Sequence, residues 1–245
     1  MIGDITTVMT KEWREFFAFG GSRRTGLIAL LVLLVLFGFF LPYRIGQSLV
    51  TSPVAIVLYA MFFPFTLMSN IIADSIAGER ERHTLETLLA SRLSDRAILL
   101  GKLGAAVVYS FAIAVGSAII GMVVANLNGD GSFQLYPAAT SVAIVAFALL
   151  ISLLFAGIGV LISLRASSVR QAQQAMGVAL IVFVMLPFLI YYTLPATSRQ
   201  QFLRWLTVND GRDAGLTILV VLIVADISII AAAFARFRRS RLILS

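Results

Sequence analysis

The sequence predicts an all-α integral membrane protein: six transmembrane helices, an N-terminal amphipathic interfacial helix, and a charged cytoplasmic segment between the second and third spans. Three observations carry this. The 245 residues are 60% hydrophobic and only 13% charged, with a mean hydropathy of +0.97, whereas a soluble domain carries about 25% charged residues. The charges are clustered, leaving long apolar gaps. Their sign is uneven from one gap to the next. A chain this apolar would aggregate in water, so a soluble protein is excluded.

The gaps define the spans. No Asp, Glu, Lys or Arg lies between Arg24 and Arg44, Arg44 and Asp74, Lys102 and Asp130, Asp130 and Arg165, or Arg170 and Arg199. From Asp213 to Arg236 there is only Asp226. A bilayer core of about 30 Å takes roughly 20 apolar residues per helix. The six expected spans are therefore about 26–42, 53–73, 103–127, 140–164, 175–195 and 215–235. They form one transmembrane domain over residues 1–245.

Topology explains the net charge of +7. Fifteen of the 19 Lys and Arg residues fall on one side when alternate segments are assigned to two faces. They include Lys11 and Arg14, Arg80 and Arg82, Arg165 and Arg170, and the arginines of the tail. Arg44, Arg199, Arg204 and Arg212 fall on the other. Cytoplasmic loops carry the excess of positive charge, so both termini and the segment 78–101 are expected in the cytoplasm. The basic balance is thus not a nucleic-acid signal. Cysteine is absent, which removes disulfides and thiolate metal sites and suits the inner (plasma) membrane of a bacterium or archaeon.

The opening residues lack the apolar core of a signal peptide and carry Asp4, Glu12 and Glu15. Ile5, Val8, Met9, Trp13, Phe16 and Phe17 recur at helical spacing, with Lys11 and Arg14 largely elsewhere. Asp4 reads as the N-cap and Gly20-Gly21 as the stop of a helix over 3–20. Such a helix would lie in the interface plane with its apolar face in lipid. The alternative is a solvent-exposed lead-in to the first span.

Inside the spans, Pro64 and Pro187 each remove a backbone donor and can kink a helix. Small residues line the third and fourth: Ala112, Gly116, Ser117 and Gly121, then Ser152, Ala156, Gly157 and Gly159. Either they pack helices closely or they form a moving interface. Asp226, midway along the last span, costs about 2.5–3.5 kcal/mol on insertion scales and should point inward. It is either a substrate or proton contact or a structural group, and Asn70, Thr66 and Ser69 on the second span are candidate polar partners. The outer loops are short. The longest follows Pro195 and holds Phe202, Leu203, Trp205 and Leu206 among Arg199 and Arg204. It suits a short helix at the outer surface, anchored by Trp205.

Enzyme chemistry finds no footing. A Walker A loop needs G-x-x-x-x-G-K-[ST] to cradle phosphates, but the only Gly-Lys pair, Gly101-Lys102, precedes Leu103 and follows no glycine-rich loop. His83 is the single histidine, so an HExxH zinc site is excluded. No pair of intramembrane carboxylates exists for acid–base work. The chain is therefore not expected to hydrolyse ATP alone.

The segment Gly78–Lys102 is dense in charge. Leu85, Leu88 and Leu89 share a helical face, Arg80, Glu81, Arg82 and Glu86 surround it, and Ser94 reads as the N-cap of the helix that becomes the third span. Composition alone also allows an ordinary solvated loop. Its pattern, E-R-E-x-x-T-L-E-x-L-L-x-S-x-x-S-x-R from Glu79 to Arg96, resembles the type-2 permease family, the membrane subunits of ATP-binding-cassette exporters. The Lys11-Glu12-Trp13-Arg14-Glu15 opening is similar to that family's as well, and six spans with both termini inside fit it. That family often has Gly where His83 stands and Pro where Arg92 stands.

The resemblance implies a permease subunit, not an enzyme, that forms a translocation path with a second permease copy, the same or different. Two ABC ATPase subunits would drive it, binding ATP and Mg in place of this chain, which itself holds no cofactor or metal. Glu79, Arg80, Glu81, His83, Thr84, Leu85, Glu86, Leu88 and Leu89 would form the ATPase-coupling surface. Lys11, Trp13, Arg14, Phe16 and Phe17 would form the supporting interfacial helix. An extracytoplasmic accessory protein is compatible with this scheme. The alternative from another class is a stand-alone secondary transporter or channel using Asp226, with Asn70, for proton or ion coupling; a third is a membrane scaffold with no transport path.

Overall fold

The computed structural model describes residues 2–16, 28, 31–52, 55–84, 92–127, 132–207 and 211–237. The regular elements among these residues are helices, with no strand among them. The elements are α1 (Ile2–Phe16), α2 (Leu31–Ile45), α3 (56–81), α4 (Asp95–Asn126), α5 (Ala138–Ser163), α6 (Val169–Thr193), α7 (Ala196–Thr207) and α8 (Arg212–Arg236). One further helical turn, Ser48–Thr51, joins α2 to α3.

Among the described residues, four helices are long and apolar enough to cross a membrane: α4, α5, α6 and α8. They coincide with the last four expected spans. Helix α2 is apolar but shorter. Helix α3 covers most of the second expected span and continues to Glu81. Helix α4 starts at Asp95, ahead of the apolar stretch expected from 103. The reason is local. Ser94 takes an extended backbone and its side chain accepts from the Ala97 N–H at 3.2 Å, as expected of an N-cap. Asp95 then sits in the first turn, where negative charge suits the helix dipole.

Helices α2 and α3 contain π-helical runs, Leu34–Phe40 and Ile56–Phe62. Each run ends two residues before a proline, Pro42 and Pro64. A proline cannot donate and its ring crowds the carbonyl four residues back. A widened turn relieves that crowding. The expected distortion at Pro64 therefore takes the form of a π-helix. The runs face each other through Tyr59, whose hydroxyl donates to the Phe37 carbonyl at 3.4 Å, and through Phe37 edge-on to Phe63.

Helix α5 is the centre of the bundle, packed by α3, α4 and α8. Its buried residues Ile151, Leu154, Phe155 and Val160 join Ile72 and Ile76 of α3 and Ile98, Leu99 and Leu103 of α4 in one core. A second core lies toward the other end, around Tyr59, Phe63, Ala114, Ala118, Ile144 and Ala148. The small residues serve close packing. A Cβ on Gly121 would meet the Tyr59 hydroxyl, one on Gly159 would meet Ile72, and one on Gly157 would lie 2.5 Å from Ile229. Gly116 has no such neighbour, and Ala112 is exposed. Helices α6 and α8 present rows of exposed apolar residues, among them Val178, Ile181, Val182, Val220 and Val224, the surface a lipid environment covers. Helix α7 holds Trp205 and Phe202 half-exposed, 5.9 Å apart between ring centres.

Two expectations for α1 change. Asp4 does not cap the helix; it lies inside the first turn of a helix that begins at Ile2, where it complements the dipole. The apolar stripe does not turn wholly to lipid. Val8 is buried against Gly101 of α4, where a Cβ would come within 2.5 Å of it, and Met9 lies over Gly104. The Trp13 indole donates to the Ala105 carbonyl at 3.0 Å. The glycines of α4 remove the side chains that would hold α1 away.

Candidate functional site

Helix α3 ends in a left-handed residue. The His83 N–H donates to the Arg80 carbonyl at 3.1 Å and the Thr84 N–H to the Glu79 carbonyl at 2.9 Å. His83 has φ of 56°. This is the Schellman arrangement, which favours Gly because a Cβ is disfavoured there.

The three residues before that turn, Glu79, Arg80 and Glu81, reach four other helices between them. Glu79 is only 1% exposed. Its Oε1 accepts from Lys11 Nζ of α1 at 2.6 Å and lies 3.1 Å from Lys102 Nζ of α4. Lys102 is equally buried, donating to Glu12 Oε1 of α1 at 2.7 Å and to the Ser75 carbonyl of α3 at 2.7 Å. Lys11 also lies 3.5 Å from Glu15. Three helices thus meet at one cluster of alternating charge. Glu79 Oε2 is buried with no hydrogen-bond partner among the described residues.

Burial shifts this cluster. It pushes the Glu12 carboxyl above the ordinary glutamate range, against the pull of Lys102. Burial opposes the Lys11 charge, but the neighbouring Glu79, Glu12 and Glu15 outweigh it and hold the ammonium above the ordinary lysine range.

Arg80 reaches the other way. Its Nη1 donates to the Ala166 carbonyl at 2.7 Å and its Nη2 to the Leu164 carbonyl at 3.2 Å. Those carbonyls close the C-terminal end of α5, where a cation is favoured. Glu81 Oε2 accepts from the Val169 N–H at 3.0 Å, the first residue of α6, where an anion is favoured. Ser168 completes that helix start by accepting from the Gln171 N–H at 3.3 Å.

The expected coupling surface is therefore divided. Glu79 is an interior residue, removed from any surface by its two lysines. Arg80 is half-buried, while Glu81, His83 and Thr84 are exposed. Leu85, Glu86, Leu88 and Leu89 lie outside the described residues. In α1, Lys11 belongs to the ion cluster, Trp13 bonds to α4, and Arg14 is exposed. Phe17 and the Phe16 side chain lie outside the described residues. Lys102, Glu12 and Ser75 were not anticipated in this role. One signal was present: Glu12 interrupts the apolar stripe of α1 four residues after Val8, and Lys102 stands alone among apolar and small residues of α4.

Asp226 points inward as expected, on the face of α8 that carries Leu222 and Ala233, 2% exposed. Both carboxylate oxygens are buried without a hydrogen-bond partner among the described residues. Asn70 lies on α3, but its side chain is outside the description. No group of three His, Asp or Glu able to hold a metal occurs among the described residues.

A bundle of long apolar helices with charged, interlocked ends on one side defines a multi-pass integral membrane protein. Residues 46–208 match the family model for ABC-2 family transporter proteins, and the chain belongs to that family. A comparison with curated proteins finds no match. Membership makes the chain an ABC transporter membrane subunit, of a typically non-catalytic kind, and implies association with ABC ATPase subunits.

Proposed function

We propose that this chain is the permease subunit of an ABC exporter, with six spans, both termini in the cytoplasm and a translocation path formed with a second permease copy. Two ATPase subunits supply the energy through ATP and Mg. They dock on the exposed turn His83–Thr84 and the segment that follows it, supported by α1. The observation that carries this reading is the ion cluster of Lys11, Glu79 and Lys102, which binds α1 to the ends of α3 and α4. A contact made at the α3–α4 connection would thereby reach three helices at once. The positive-inside bias puts this end in the cytoplasm, where an ATPase is found. Localisation in the inner membrane of a bacterium or archaeon fits the same charge bias.

The test is co-expression with a candidate ABC ATPase subunit from the same genome. The purified chain should retain that subunit, and charge reversal at Glu86 with Thr84→Lys should lower nucleotide-stimulated hydrolysis in the complex. Unaltered hydrolysis would reject the docking assignment. Family membership favours this reading over a stand-alone transporter or a scaffold. A proton- or ion-linked role for Asp226 keeps one supporting observation, its two oxygens without a partner among the described residues. Transport unchanged by Asp226→Asn would end it.

A further inference from the structure

We propose that Arg80 and Glu81 are positioning residues that join the end of α3 to the turn between α5 and α6, so that displacement of α3 is delivered to α6. This rests on the permease reading and assigns the two residues a different task from docking an ATPase.

The geometry is that of a clamp. The turn 164–168 is held by a guanidinium at its α5 side and a carboxylate at its α6 side. Each charge matches the helix end that it meets. Behind the clamp, α3 and α5 are locked. Ser163 Oγ accepts from the Ala77 N–H at 2.8 Å, and Gly159 leaves no room for a Cβ beside Ile72. Helix α6 differs. Ala172 and Met176 are buried at its start, but none of its described residues beyond Met176 is buried. Further along, Phe183 still meets the Phe155 ring of α5 edge-on at 5.2 Å, but the buried anchorage of α6 lies at its start, the end that Glu81 holds. A tilt of α3 enters α5 as part of a rigid pair, whereas α6 receives it through its packing on α3, centred on its buried start, and through the Glu81–Val169 bond that sets its first turn.

The native sequence has no cysteine, so a single reporter can be introduced without background. Val178→Cys on α6 and Val220→Cys on α8 are exposed sites for an environment-sensitive fluorophore. The measurement uses the complex with its ATPase subunits, nucleotide-free and trapped with ATP and vanadate. The Val178 probe should respond to trapping. Glu81→Ala should reduce that response at least threefold while the ATPase stays bound and the Val220 probe is unaffected. Glu81→Gln, which still offers an acceptor to the Val169 N–H, should restore most of it. Arg80→Lys, which cannot span both carbonyls, should reduce it partly. Glu81 is exposed, so these changes open no core.

A Val178 response untouched by Glu81→Ala overturns the inference, as does loss of the ATPase from that variant, which would make Glu81 a docking residue. A native-sequence chain that retains no ATPase overturns the permease reading and this inference with it.

Discussion

Lys102 Nζ lies 2.7 Å from Glu12 Oε1, and both side chains are nearly inaccessible. The pair joins the first helix of the chain to the fourth. Removing one partner of a buried pair leaves a stranded charge, at about 3–5 kcal/mol. Lys102→Met should therefore lower stability by about that amount. Replacing both partners with apolar residues of similar volume is often close to neutral, so Lys102→Met with Glu12→Leu should recover part of the loss, the remainder belonging to Glu79 and the Ser75 carbonyl, which also face Lys102. Thermal unfolding of the detergent-purified protein compares the two. Equal losses in the single and double variants would show that the pair is not coupled.

The same cluster gives a pH dependence. The Glu12 carboxyl is raised above 4.5 by burial, so the folded state holds its proton more tightly than the unfolded chain does. The stability that this proton contributes is fully present below 4.5 and is lost as pH rises through the folded value. Glu12→Gln does not titrate and should flatten this part of the stability–pH curve. A curve with the same slope in both proteins would assign the dependence to another group.

At the end of α3, His83 occupies the left-handed position with φ of 56°. A non-glycine residue there carries a steric cost of roughly 1–2 kcal/mol. His83→Gly should raise the melting temperature by about 2–4 °C per kcal/mol recovered. His83→Val, β-branched and hostile to this conformation, should lower it. A lower melting temperature for the glycine variant would mean that the imidazole makes a stabilising contact of its own.

Asp226 sits in an apolar seam with both oxygens unpartnered among the described residues. Helix α5, which packs along α8, carries no ionisable residue between Ala138 and Ser163 to answer it. An unsatisfied buried polar group costs about 1–3 kcal/mol. Asp226→Leu should therefore stabilise the isolated subunit by a similar amount, whatever it does to transport. A destabilised Leu variant would reveal a partner for the carboxylate.

The sequence by itself determined the all-helical class of fold and the approximate positions of the four helices that are long and apolar enough to cross a membrane. A gap of about 20 residues without charge has one cheap resting place, a bilayer, and that rule needs no partner. It determined the cap at Ser94 as well, because capping is local and depends on residues three positions apart. The distortion at Pro64 was legible, but not its form, since a proline does not dictate how the preceding turn relaxes. Tertiary structure decided what Glu79, Arg80 and Glu81 do. In the sequence they are three consecutive charges beside a loop, which suits a solvated surface. Their partners, Lys11, Lys102, Leu164, Ala166 and Val169, lie 68 to 88 positions away or more than 20. Only the packing of α1 on the glycines of α4, and of α5 beside α3, brings those groups within hydrogen-bond range. Charge pairing over such separations follows from which helices touch, and a list of residue types does not contain that.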